Sequence, residues 1–262
     1  MSERILWLGG NQPRHLYYAN KIADTFPMVG GIMQLRGDSI KEPEGLSPID
    51  SANWRQHFEE RKDAEIKYFG KQEPPDIPLL TLDKATLNDD DAVKFVKDLK
   101  PDMAIIFGTG MIREPLLSAL PEKTINLHLG LSPRYRGAAT LFWPFYFMEP
   151  NWAGTTFHFI QHSPDAGDII HQVVPELEKG DGIHDVACKA VLKSTKEALA
   201  LFKMDKWELF KQKPEAGKNF LESDFQPKHL RVIYQTFNND LVDQYLDKRI
   251  TPKEPKLRRQ FI

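Results

Sequence analysis

The chain has 262 residues, enough for one large core with a small appendage. Hydrophobic residues at 41% and charged residues at 27% place it among soluble globular proteins, and a formal net charge of −2 gives no reason to expect a nucleic-acid partner. The single cysteine, Cys188, excludes an internal disulfide; no Cys/His cluster has zinc spacing, so no metal is expected.

In chain order, residues 5–8 predict a short buried strand, broken by Gly9, Gly10 and Asn11 and followed by a helix over 13–26. A second apolar run at 28–35 predicts strand two, and 36–50, rich in Pro, Gly and Ser, predicts a loop. Asp50 or Ser51 could cap a helix running to Phe69, with Gly70 as its stop. A short strand is expected at 79–82, an amphipathic helix at 89–99 and a buried strand at 103–107. Strand and helix thus alternate over the first 110 residues, the pattern of a mostly parallel sheet with helices on both faces. Further strands are expected at 124–128 and 155–160, and a helix at 182–203, where Ile183, Val186, Ala187, Ala190, Val191, Leu201 and Phe202 recur at helical spacing. Cys188 sits among them and is expected to be a packing residue.

Beyond about residue 204 the character changes. Trp207, Leu209 and Phe210 predict a short strand or turn, 213–218 a Pro/Gly linker, and 227–246 a helix. The division expected is 1–205 as a catalytic domain and 206–262 as a small C-terminal α+β subdomain, the latter a candidate for dimerisation. The basic tail with Lys253, Lys256, Arg258 and Arg259 is expected to be a solvated arm. The N-terminal apolar run is too short for a signal peptide, and no stretch approaches the roughly 18 apolar residues of a membrane span, so a cytoplasmic protein is expected.

Asn126 and His128 lie two apart on a predicted strand, so their side chains share a face. The strand runs into a loop holding Ser132-Pro133-Arg134-Tyr135-Arg136-Gly137, and ligands of open α/β sheets bind beyond the carboxyl ends of strands. Asp165 lies in a loop directly after strand 155–160, and loops on one sheet edge could bring it to His128. An Asn–His–Asp set suits acyl transfer to an amine: Asn126 can donate to an oxyanion, His128 can shuttle a proton, and Asp165 can orient the imidazole or take the proton itself. Spacing alone leaves the alternative of ordinary strand and loop polar residues.

The wording of three blocks goes further. Asn126-Leu127-His128, then Ser132-Pro133-Arg134-Tyr135-Arg136-Gly137, then Asp165-Ala166-Gly167-Asp168-Ile169-Ile170 resemble the 10-formyltetrahydrofolate-dependent formyltransferase family over roughly residues 3–205. The resemblance implies a Rossmann-like formyltransferase core. It implies catalytic roles for Asn126, His128 and Asp165, and N10-formyltetrahydrofolate as co-substrate. It implies a folate pocket walled by Phe107, Gly108, Gly110, Met111 and Ile112 and, opposite, by Ile160, Gln161, His162, Ser163 and Pro164. Gly130-Leu131-Ser132 and Thr140 depart from the family's usual loop, which bears on the acceptor rather than the reaction.

For the acceptor, Gly9, Gly10 and Asn11 form a turn placed to meet phosphate at a helix N-terminus, with Arg14 adding a charge-assisted contact. Arg134 and Arg136 are further candidates for substrate contact. His57, Arg61 and Glu65 could line an acceptor pocket, but a solvated face with an i,i+4 ion pair is the expected reading. Trp143, Phe145, Tyr146 and Phe147 are expected in the core rather than as a sugar-stacking platform. Within the family, the stretch around 127–133 and the aromatic run after it look most like the enzymes acting on nucleotide-linked amino sugars of surface polysaccharides such as lipopolysaccharide. Methionyl-tRNA and phosphoribosylglycinamide are the alternative acceptors. A formyltetrahydrofolate hydrolase and a non-catalytic nucleotide-sugar or folate-binding protein are the alternatives from other classes.

Overall fold

The computed structural model describes residues 3–37 and 40–262. Its centre is a seven-stranded sheet in the order β3-β2-β1-β4-β5-β7-β8. These are β1 (Ile5–Gly10), β2 (Met28–Gln34), β3 (Leu79–Leu82), β4 (Met103–Phe107), β5 (Thr124–His128), β7 (Thr155–Phe159) and β8 (Ile169–Val173). The first five are parallel to one another; β7 runs antiparallel to both β5 and β8. The main helices are α1 (Pro13–Ala23), α2 (Pro48–Phe69), α3 (Asp90–Leu99), α4 (Leu116–Ala119), α5 (Trp143–Tyr146), α6 (Ile183–Leu201) and α7 (Leu241–Leu246). A second, two-stranded parallel sheet joins β6 (Tyr135–Gly137) to β9 (Lys218–Phe220).

β1 shows why the mostly parallel arrangement forms. Every residue in it is buried, since neighbours cover both edges and helices both faces. Alternation sends Ile5 and Trp7 to a core shared with α1 and α6, and Leu6 and Leu8 to a core shared with α3 and α4. The Trp7 ring lies over the space a side chain would need at Gly9 and at Gly31 on β2.

The chain leaves β1 outward through β2 and β3, then returns to β4 on the other flank of β1. The order reverses between β1 and β4, where a crevice opens at the carboxyl ends. The His15 ring of α1 fills its floor, occupying the space beside both Gly10 and Gly108 and meeting Phe107 edge-on at 4.7 Å.

Three expectations change. Helix α2 begins at Pro48, and its cap is Ser47, whose Oγ accepts from the Asp50 amide at 3.3 Å; Asp50 and Ser51 lie inside the helix. The loop expected at 36–50 is otherwise irregular up to Ser47, with 38 and 39 outside the described residues. The helix expected over 227–246 is broken into a 3₁₀ turn (Pro227–His229), a wide turn (Val232–Thr236) and α7. The break falls at Asn238 and Asn239, both at positive φ. There the Asn239 side-chain oxygen accepts the Ile183 amide at 3.0 Å, capping α6 from outside.

The basic tail keeps Lys253, Lys256, Arg258 and Arg259 exposed, as expected of a solvated arm, but its backbone is docked. Gln172 on β8 donates its amide to Arg258 at 2.7 Å, the Gln260 amide donates to His171 at 2.9 Å, and Arg259 pairs with Glu197. The free edge of β8 offers these partners, and a buried glutamine, Gln260, takes them. Phe210 forms one bridge to Ile169 on the same strand, while Trp143 and Phe145 are buried in a third core with Phe220, Leu230 and Ile233.

Candidate active site

Asn126 and His128 project from the face of β5 opposite Ile125 and Leu127, which belong to the α1–α6 core. Across the antiparallel pair, Asn126 stands opposite His158 and His128 opposite Thr156. Because β7 is antiparallel, the loop after it leaves at the amino end of β5, not at the carboxyl edge expected from the sequence. It folds back over the strand face instead. Gly167 lies against the Phe159 carbonyl where a Cβ would come within 1.8 Å, and Gln212 and Arg136 hold the backbone of Asp165 and Pro164. Asp165 turns inward at φ 46°.

The result is a four-residue cluster. His128 Nδ1 lies 3.4 Å from Asp165 Oδ2, and His158 Nε2 lies 3.4 Å from Asp165 Oδ1. Asn126 Nδ2 donates to His158 Nε2 at 3.1 Å and reaches Asp165 Oδ1 at 3.4 Å. The Gly137 amide donates to Asp165 Oδ2 at 2.9 Å.

The hydrogen bonds fix the tautomers. His128 Nε2 faces the Tyr135 carbonyl at 2.9 Å, and a carbonyl only accepts, so Nε2 carries the proton. The same reasoning puts a proton on His158 Nδ1, which faces the Phe159 carbonyl. Neutral His128 therefore points the Nδ1 lone pair at Asp165. Burial holds its pKa below the ordinary histidine value, partly opposed by the Asp165 charge. Burial alone would push the Asp165 carboxyl up, but the charge on His128, the hydrogen bond and charge of His158, each present when those imidazoles are protonated, and the Gly137 amide outweigh it and hold it well below the carboxylate range. A carboxylate beside a desolvated imidazole lone pair is a proton acceptor with two adjacent basic atoms.

Gly137 is held at φ +86°, and a Cβ there would meet the Phe220 carbonyl at 2.2 Å. Gly137→Ala should cost about 2 kcal/mol or more and displace the amide from Asp165. Urea denaturation checks this; a change under about 0.5 kcal/mol would refute it.

The cluster sits in the wall of a cavity of 1110 Å³ that crosses the carboxyl end of the sheet. One wall carries Phe107, Gly108, Gly110, Met111 and Ile112, facing Ile160, Gln161, Ser163 and Pro164. Apolar side chains beside exposed backbone suit a flat heteroaromatic ring with a hydrogen-bonding edge. His162 points outward, 82% exposed and near Glu114. The other wall carries Arg14, His15, Arg36, His57, Arg61, Glu65, His184 and Cys188.

His57 and Glu65 are thus buried, not solvated, because α6 and the C-terminal segment cover that side of α2. Cys188 is buried as expected, its thiol pushed up to about 12 by burial first. Gly9, Gly10, Asn11, Arg134 and Arg136 lie off the cavity wall. Asn11 is tied to the Arg36 backbone, and Arg134 pairs with Glu149 over the Trp152 ring.

Sequence reasoning missed His158, although alternation along β7 puts it on the face of Thr156. It also missed the Tyr135 carbonyl and Gly137 amide, which carry no side-chain signal.

Comparison with known proteins now decides the family. The model described as "Formyl transferase" matches residues 49–201, more than half of the chain. The chain belongs to the formyl transferase family. A methionyl-tRNA formyltransferase from Azobacteroides pseudotrichonymphae is 33% identical over 149 residues, 53% of this chain and 45% of that protein; the chain thus spans less than half of that relative. Two solved structures share the fold of this formyl transferase chain. The glycinamide ribonucleotide transformylase 1 from Symbiobacterium toebii has TM-score 0.54 and 18% identity, covering 81% of this chain and 95% of its own. A sugar N-formyltransferase from Shewanella sp. has TM-score 0.54 and 14% identity, covering 88% and 87%.

Proposed function

We propose that this formyl transferase moves the formyl group of N10-formyltetrahydrofolate to the amine of a nucleotide-linked amino sugar, a precursor of surface polysaccharide. The observation that carries the reading is one cavity with two unlike walls and the Asn126–His128–Asp165 cluster between them. Its 1110 Å³ lies at the upper end of the roughly 300–1,000 Å³ typical of ligand pockets. The apolar wall from Phe107 to Ile112 fits the pterin, and the cationic wall fits the acceptor.

In this reading both substrates are held so that the amine meets the formyl carbon beside His128, and positioning supplies much of the rate. Asn126 steadies the oxyanion with one amide N–H, releasing either His158 or Asp165 to do so. Asp165 and His128 Nδ1 together accept the amine's proton, which His128 returns to the departing nitrogen. Residues 206–262 act as a subdomain closing the acceptor wall, to which Glu222 and Phe225 contribute. A cytoplasmic enzyme is consistent with the described residues, none of whose helices is long and apolar enough to cross a membrane.

The methionyl-tRNA reading is favoured by the 33% identical relative, and the net charge of −2 argues against it. The test is incubation with 10-formyltetrahydrofolate and a panel of nucleotide-linked amino sugars, phosphoribosylglycinamide and methionyl-tRNA. A sugar product heavier by about 28 mass units, as expected when an amine nucleophile gains a formyl group, supports the proposal. Transfer only to methionyl-tRNA or phosphoribosylglycinamide replaces the acceptor; formate release without any amine makes the protein a hydrolase.

A further inference from the structure

The cluster around Asp165 occupies one end of the cavity. At the other end guanidinium groups from three segments converge: Arg14 on α1, Arg36 after β2 and Arg61 on α2. Arg14 Nη1 donates to Glu65 Oε1, and Arg61 Nε donates to the same oxygen at 3.3 Å. Both arginines also reach Gln12 Oε1. One carboxylate oxygen therefore serves two cations. The Arg36 side chain has no hydrogen bond or ion pair among the described residues. Among the described residues, the only other acid on this wall is Glu222.

The cations act on one another. Burial, and next Arg61, lower the Arg14 pKa to about 10, with Glu65 opposing and Arg36 adding to the fall. Three buried nitrogens on residues lining this lobe, His184 Nε2, His15 Nδ1 and Arg14 Nε, have no partner among the described residues. The lobe runs from buried Arg14 and Glu65 through half-buried Arg61 to exposed Arg36, and an anion there would offset the excess of cation over carboxylate among its described residues and meet its unsatisfied polar atoms.

We propose that Arg36 and Arg61, backed by Arg14, form an anion subsite that holds a phosphoryl or diphosphoryl group of the acceptor. This rests on the reading that the cationic wall takes the acceptor. Planar guanidinium forks from different directions match tetrahedral phosphoryl oxygens. The first turn, where the sequence places phosphate, has no room for it: His15 fills the space at Gly10, and Asn11 is bound to the Arg36 backbone. The anion is displaced outward to the arginines.

The test is calorimetric titration of the full chain with inorganic pyrophosphate, UDP and dTDP, and separately with 5-formyltetrahydrofolate. Wild type should bind at least one diphosphate. Arg36→Gln and Arg61→Gln should each weaken it about tenfold or more, the scale of a lost charge-assisted hydrogen bond. Arg61→Lys should recover part of the loss. Lys62→Gln, the same charge change on an exposed neighbour, should leave binding unchanged, and melting scans should show each variant folded. No diphosphate binding by wild type, or equal losses in Lys62→Gln and Arg61→Gln, overturns the subsite. Folate binding without diphosphate binding defeats the subsite and leaves formyl transfer standing. Arginine-dependent diphosphate binding without folate binding supports the subsite and defeats the transfer reading.

Discussion

Asp165→Asn should lower kcat by about 10³-fold while leaving the fold and folate binding intact, within the range that general acid–base groups contribute. The substitution keeps the shape. With its amide oxygen at the Oδ2 position the new residue can still accept the Gly137 N–H, now at 2.9 Å, and its NH₂, at the Oδ1 position, faces His158 Nε2. The fault is the lost charge, because a neutral amide oxygen beside His128 Nδ1 cannot share or stabilise the proton that the pair would accept. His128→Ala should cost a similar factor, and the double variant little more, since the two act as one acceptor. Turnover by Asp165→Asn within about threefold of wild type, measured by tetrahydrofolate release, would eliminate this role. The pH profile is a second reading of the same pair. Burial keeps His128 neutral below the ordinary histidine value, so the acid limb of kcat/KM should lie below about pH 6.5.

Stability should fall steeply with acid, and earlier than carboxylate titration would explain. His15, His57, His128 and His184 all have pKa values lowered first by burial, His184 to about 3. His15, His57 and His184, held well below the ordinary value, are neutral in the folded chain at pH 6, and His128 stays neutral to lower pH than an ordinary histidine, whereas in the unfolded chain each takes up a proton near pH 6.5. Below that pH the unfolded state binds more protons, so stability is full above pH 6.5 and is lost as pH falls toward each folded value. His184 alone should cost about 2 kcal/mol between pH 6.5 and 5. The four together should lower Tm by about 10 °C or more between pH 7.5 and 5.0. His184→Leu should flatten part of that slope. A Tm at pH 5.0 within about 3 °C of its value at pH 7.5 would refute the account. Asp165 adds a separate loss at lower pH, within and below the carboxylate range, because its pKa is held down in the fold.

What the sequence disclosed depended on which physical signal each residue carried. Strand alternation placed Asn126 and His128 on one face, and the apolar runs located β1 to β5. Asp165 was found by motif, and its expected route was wrong, because antiparallel β7 sends the loop out at the far end of β5 and only close packing at Gly167 brings it back. His57 and Glu65 looked solvated because charge on a helix ordinarily faces water. Here α2 is enclosed on several sides, and the charges face an internal cavity. The break at Asn238 and Asn239 was hidden because what stabilises it, the cap on α6, lies more than fifty residues away in sequence.

The docked tail has a consequence for solubility. An outermost strand exposes a row of unpaired amides and carbonyls that can template pairing with another chain. β8 is the outermost strand on its side of the sheet, and Arg258, Gln260 and Phe210 already occupy its outward groups. At the opposite margin β3 is only four residues long. Both borders of the sheet are thereby blunted, one by brevity and one by the chain's own last residues. Cleavage before Arg258 would unmask a sticky border away from the Asn126–His128–Asp165 cluster, turning a trimmed molecule toward self-association while that cluster stayed in place.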